Sequence, residues 1–173
     1  MTKQMLALAL LYILLILVQV LICNHIMLFH IAVPFIFIYF ILRLSVGISQ
    51  VLVLTLAFVM GFLIDIFSDT PGVNSLAATL LAAVKTPVFY AYVPRDDKTK
   101  RVIPSIATVG WQNYSKFALT MSAIYCLIVF GIEFFSFAGI ERIILMTLAS
   151  AVFTFLLVIA VDSLLNVDKS IMA

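Results

Sequence analysis

The chain has 173 residues, 65% of them hydrophobic and 10% charged. Soluble domains run at roughly 45–50% apolar and about 25% charged, so a soluble globular domain is excluded, and a net charge of +2 gives no footing for nucleic acid. What remains is one polytopic, all-α integral membrane domain over residues 1–173, because several apolar runs match the roughly 20 residues a helix needs to cross a bilayer core.

The hydropathy pattern predicts six transmembrane helices, at about residues 5–23, 31–44, 46–67, 73–92, 116–135 and 140–161. The first, interrupted only by Gln19, is longer than a signal-peptide core and ends without a small-residue cleavage site, so it reads as a retained helix. The second is short and carries Pro34 in its first turn, where a missing N–H is tolerated. Orientation follows from the basic residues. With the N-terminus in the cytoplasm and every span crossing, Lys3, Arg43, Arg95, Lys98, Lys100, Arg101, Lys116 and Lys169 fall inside, eight of the ten. Both termini are then cytoplasmic.

Residues 93–115 form the cytoplasmic loop. Its basic residues from Arg95 to Arg101 favour an anionic leaflet, each by about 1 kcal/mol, and Val102–Trp111 is apolar enough to lie along the interface. Lys85, about two turns from the inner end of the fourth span, is expected to carry its ammonium to the headgroups along its apolar stem, with Asp162 as the alternative buried partner. Tyr90, Tyr92, Trp111 and Tyr114 are expected to form an interfacial aromatic belt.

The stretch from Gly61 to Leu76 concentrates the polar residues of the middle of the chain. An acidic residue in a membrane-length segment is a functional or packing site by default. Asp65 follows Gly61 by one turn, and Asp69 follows Asp65 by another, so both carboxylates would share a face if the helix continued. Thr70-Pro71 resembles an N-cap followed by proline at the first helical position, and Gly72, Asn74 and Ser75 open the next span. Three roles for Asp65 stay open: locking the hairpin by accepting from the start of the fourth span, contacting a partner, or relaying a proton or cation. Along the fourth span Ser75, Ala78, Ala82 and Thr86 put small side chains on one face, the pattern that lets helices approach closely in lipid. Glu133 near the end of the fifth span is a candidate partner for Arg142, and Glu141 suits the start of the sixth.

No catalytic constellation is present. His25 and His30 are spaced too far apart for one helical face and have no matching ligands, and Cys23 and Cys126 read as apolar fillers. No enzyme, metal site or cofactor is expected.

At Gly61, Asp65, Gly72, Asn74 and Leu76 the sequence resembles the bacterial rod shape-determining protein MreD family, with Gly-x-x-x-Asp ending one helix and a glycine turn leading into the next. Pro34 before an aromatic-aliphatic helix, and Val129-Phe130 shortly before Glu133-Phe134, add to the likeness. The resemblance implies a non-enzymatic, multi-pass scaffold of the bacterial inner membrane, in the complex that builds lateral peptidoglycan and determines rod cell shape. Its implied partners are the single-span protein MreC and, indirectly, MreB filaments and the RodA–transpeptidase pair, within the membrane lipids. Taken together with the residue reading above, the candidates for packing or partner contact are Gly61, Asp65, Asp69, Gly72, Asn74, Ser75, Ala78, Ala82 and Glu133, although the Ser68-Asp69-Thr70-Pro71 turn is more acidic than the family pattern. It also implies a likeness to the six-helix substrate-binding subunits of energy-coupling-factor vitamin transporters, which leaves a small membrane transporter or vitamin-binding subunit as the alternative.

Overall fold

The computed structural model describes residues 2–23, 32–94, 102–133 and 140–171. Every regular element among them is helical: α1 (Thr2–Leu21), α2 (Ile38–Arg43), α3 (Gln50–Ser68), α4 (Val73–Tyr92), α5 (Ile106–Val109), α6 (Trp111–Glu133) and α7 (Ile140–Ile171). By length and composition three helices suffice to cross a membrane, Gln50–Ser68, Trp111–Glu133 and Ile143–Leu165, while Leu6–Leu21 is a shorter apolar helix. The protein is therefore a helical membrane protein.

The longest helices follow from uninterrupted apolar sequence, and their ends from local chemistry. Helix α3 stops because Asp69 adopts a left-handed conformation, φ 54°, which Asp tolerates better than most side chains, and Pro71 bars continuation. Gly72, at φ 81°, turns the chain into α4. This sets Thr70-Pro71 in the turn, and Gly72 rather than Thr70 takes the N-cap position of α4. Because α3 ends at Ser68, Asp69 does not share a face with Asp65 and lies exposed at the turn.

Helices α3 and α4 form an antiparallel hairpin in contact along its length, with α6 against α4 and α7 against α6. Helix α1 packs on α3. Lipid tails give no hydrophobic reward for joining apolar helices, so close packing and polar ties between helices must hold the bundle.

The second expected span departs most from the sequence reading. In place of a helix over 31–44, residues 32–37 are irregular and only six residues, Ile38–Arg43, form α2. The segment threads the middle of the bundle: Phe37, Ile38, Tyr39, Ile41 and Leu42 are fully buried. It follows α7 from Ser150, which binds Val33, to Asp162, which binds Tyr39, about 18 Å of helix axis. Irregular backbone at membrane depth is tolerated only inside protein, where its polar groups find partners.

Candidate functional site

The hairpin turn is built around the Asp65 carboxylate, 5% exposed. Oδ1 accepts from Thr70 Oγ1 at 2.9 Å, Asn74 N at 2.9 Å and Asn74 Nδ2 at 3.0 Å. Oδ2 accepts from Ser75 N at 2.8 Å and Ser75 Oγ at 2.7 Å. Asn74 and Ser75 are the second and third residues of α4, whose first N–H groups have no intrahelical acceptor. Gly72 offers no side chain to cap them, so Asp65 caps α4 from the end of the preceding helix, where its charge also complements the helix dipole.

Gly61 permits this reach. A Cβ there would stand 2.5 Å from Ser75 Cα and 2.6 Å from the Asn74 carbonyl oxygen, so the two backbones touch. Ala78 and Ala82, fully buried, continue the face, and Gln50 Nε2 donates to the Ala82 carbonyl at 3.1 Å near the other end of the hairpin.

Asn74 extends the network to a third helix. Its Oδ1 accepts from Tyr125 Oη on α6 at 2.7 Å, and the Tyr125 ring meets Phe35 and Phe37 edge-on, with centroids 5.0 and 5.5 Å away. Of the marked residues, Gly61, Asp65, Gly72, Asn74 and Ser75 thus meet at one turn, with Ala78 and Ala82 below. Asp69 adjoins the turn but faces outward. Glu133 is exposed at the end of α6, apart from the turn; its expected partner Arg142 has a side chain outside the described residues, as do His25, His30 and the basic run from Arg95 to Arg101.

Sequence reasoning passed over a second polar set, around Pro34. Gln19 Nε2 donates to the Pro34 carbonyl at 3.0 Å while its Oε1 accepts from Ile36 N at 2.9 Å. Ser150 Oγ accepts from Val33 N at 3.0 Å, and Thr154 Oγ1 from Phe35 N at 3.1 Å. Proline has no N–H, so every backbone donor from 33 to 36 is satisfied by a side chain. The available signals were a glutamine interrupting an apolar span and two hydroxyl residues one turn apart on α7.

A third set lies at the opposite end of the bundle from the hairpin turn. Asp162, fully buried, accepts from Tyr39 Oη at 3.0 Å, from Arg43 Nη1 at 3.4 Å and from Ile106 N at 2.9 Å. Arg43 Nη1 also donates to Tyr39 Oη. Arg43 therefore occupies the place considered for Lys85. Nor does Lys85 reach the headgroups: it is 2% exposed and donates to the Leu44 carbonyl, because its position on α4 faces the turn after α2 rather than lipid. Tyr114 likewise leaves the expected aromatic belt; it is fully buried while Trp111 stays exposed. Residues 106–109 are tucked against this end as α5, held by Asp162 and by α6.

What these sets do chemically is to join elements. Both oxygens of Asp65 are engaged by donors of its own hairpin, and no group of three or more metal-ligating side chains occurs among the described residues. No family model, curated protein or solved structure matches the chain.

Proposed function

We propose that this protein is a non-enzymatic scaffold of the bacterial inner membrane that holds a single-span, MreC-like partner within the complex for lateral wall synthesis, with MreB filaments and the RodA–transpeptidase pair as indirect partners. The observation that carries the reading is the union of the MreD-like Gly61/Asp65/Gly72/Asn74 pattern with a carboxylate wholly occupied inside its own hairpin. A relay carboxylate has to exchange protons or ions with a path, whereas Asp65 is committed to five fixed donors. A rigid hairpin is what a scaffold requires.

The proposed topology has six crossings with both termini cytoplasmic. Helices α1, α3, α4, α6 and α7 make five, and the segment entering α2 makes the sixth. Supporting this, α4 lies antiparallel along α3, and Leu8 of α1 and Leu165 of α7 both lie at the Arg43 end, so the two chain ends share a side. The positive-inside rule makes that side cytoplasmic. Single cysteines at Ser68 and Lys98 are expected to label from opposite faces of intact cells; labelling from one face would discard the topology.

Purification from the native membrane tests the function. A scaffold should bring down a single-span coiled-coil protein in fixed ratio, and Asp65→Ala should weaken that assembly and round the cells. Retention of a water-soluble small molecule without such a partner would favour the transporter-subunit alternative. Normal assembly and shape in the Asp65→Ala strain would remove the hairpin from the mechanism.

A further inference from the structure

A cavity of about 340 Å³ opens at the Arg43 end of the bundle. Its walls are aliphatic, with Leu8 and Leu11 from α1, Ile103, and Leu165 from α7, while Arg43 and Ser45 supply the polar groups. The volume lies within the range of roughly 300–1,000 Å³ typical of small-molecule sites. We propose that it holds one anionic phospholipid, with an acyl segment along the aliphatic wall and the phosphate on Arg43.

The chemistry of Arg43 points to the headgroup. A guanidinium carries five N–H donors in a planar fork suited to phosphate. Here Nη1 is engaged by Tyr39 and Asp162, and among the described residues no hydrogen bond uses Nε or Nη2. The side chain is 14% exposed, so three donors sit in a mostly apolar setting beside an open cavity. Ser45 adds a hydroxyl for the phosphate or the glycerol ester. A free phosphate would have no use for the leucine and isoleucine walls, whereas a lipid uses both halves of the site.

Charge around the cavity favours an anionic lipid. Asp162 offsets part of the Arg43 charge, and among the described residues the lining carries no acidic side chain to repel a lipid of net negative charge. Basic residues near a membrane surface each contribute about 1 kcal/mol toward anionic lipid. A preference of about five- to tenfold over a zwitterionic lipid corresponds to one such residue, here Arg43. The site is independent of which protein the scaffold holds.

Native mass spectrometry of the purified protein in detergent, with equimolar dioleoyl phosphatidylglycerol and dioleoyl phosphatidylcholine, reads the preference directly. The expected result is one retained phosphatidylglycerol, favoured about five- to tenfold. Arg43→Ala should abolish the preference. Because Arg43 also holds Asp162, a second variant decides if that one misfolds: Ala7→Trp places an indole into the cavity from an exposed position on α1. It should lose the bound lipid while melting like the wild type. Equal retention of the two lipids, or undiminished phosphatidylglycerol on folded Ala7→Trp, would overturn the proposal. Displacement of the lipid by inorganic phosphate alone would also overturn it, since the aliphatic wall would then contribute nothing.

Discussion

Gly61 of α3 and Ser75 of α4 meet backbone to backbone: a side chain on Gly61 would begin 2.5 Å from Ser75 Cα. This contact brings the Asp65 carboxylate, one turn further along α3, to the first free N–H groups of α4. The small residue and the acidic residue are parts of one device, since neither works without the other's spacing. Its strength comes from polar ties in lipid, each worth on average about 0.6 kcal/mol and up to about 1.7 kcal/mol.

Gly61→Ala is expected to destabilise the bundle. The added methyl meets fixed backbone rather than a movable side chain, and overpacking of this kind costs about 1–3 kcal/mol or more. Gly131→Ala is the control, because a Cβ there meets nothing within 4 Å and alanine favours helix by up to about 1 kcal/mol. Thermal melting in detergent should lower the midpoint for the first variant and hold or raise it for the second. Equal midpoints would show that the close approach is not needed.

Asp65→Asn keeps the shape and removes the charge, yet it should cost about 2 kcal/mol or more. Whichever oxygen becomes an amide NH₂ faces two or three donors, and each buried group left unsatisfied costs about 1–3 kcal/mol. Reversible unfolding in mixed detergent micelles measures the change. Hydrogen exchange at Asn74 and Ser75 should speed up with it; wild-type stability and protection would show that the carboxylate is dispensable.

Gln19→Leu and Thr154→Val each strip an acceptor from the irregular segment. In the first, Ile36 N–H loses the Gln19 oxygen and keeps only the weak Cys23 sulfur acceptor, and the Pro34 carbonyl loses its donor; in the second, Phe35 N–H loses its acceptor and Cys126 its Thr154 partner. Amide exchange over residues 33–36 is expected to rise in both. Stability should fall in both, because a buried group left unsatisfied costs about 1–3 kcal/mol. Exchange that stays at the wild-type rate would mean other acceptors substitute.

Lys85 and Lys116 should differ sharply toward an amine-reactive reagent. Lys85 is buried and donates to the Leu44 carbonyl, whereas Lys116 is exposed on α6. Peptide mass spectrometry of the labelled, folded protein is expected to find Lys116 modified faster, on the order of tenfold or more, since the buried Lys85 nitrogen is out of the reagent's reach and polar groups so buried stay engaged with their partners. Comparable rates would place Lys85 back at the headgroups.

The amino-acid sequence by itself determined the solvent, the helical class and the hairpin. Twenty-residue apolar runs can satisfy their backbone in lipid only as helices, and a glycine one turn before an acid, then a Pro-Gly turn, localised a clasp whose partners lie within ten residues. These are short-range facts, legible along a chain. Tertiary structure decided the rest, because the deciding acceptors are remote in sequence. The 31–44 stretch is apolar enough to be read as a helix, yet Ser150 and Thr154, more than a hundred residues on, with Gln19 from α1, supply the hydrogen bonds that let it stay irregular. Lys85 illustrates the same limit: a position two turns from a helix end is compatible with snorkelling, and only the packing of the Leu44 turn over α4 buried it. Hydropathy records how much a residue dislikes water; it carries no information on which distant group will be there to take a hydrogen bond.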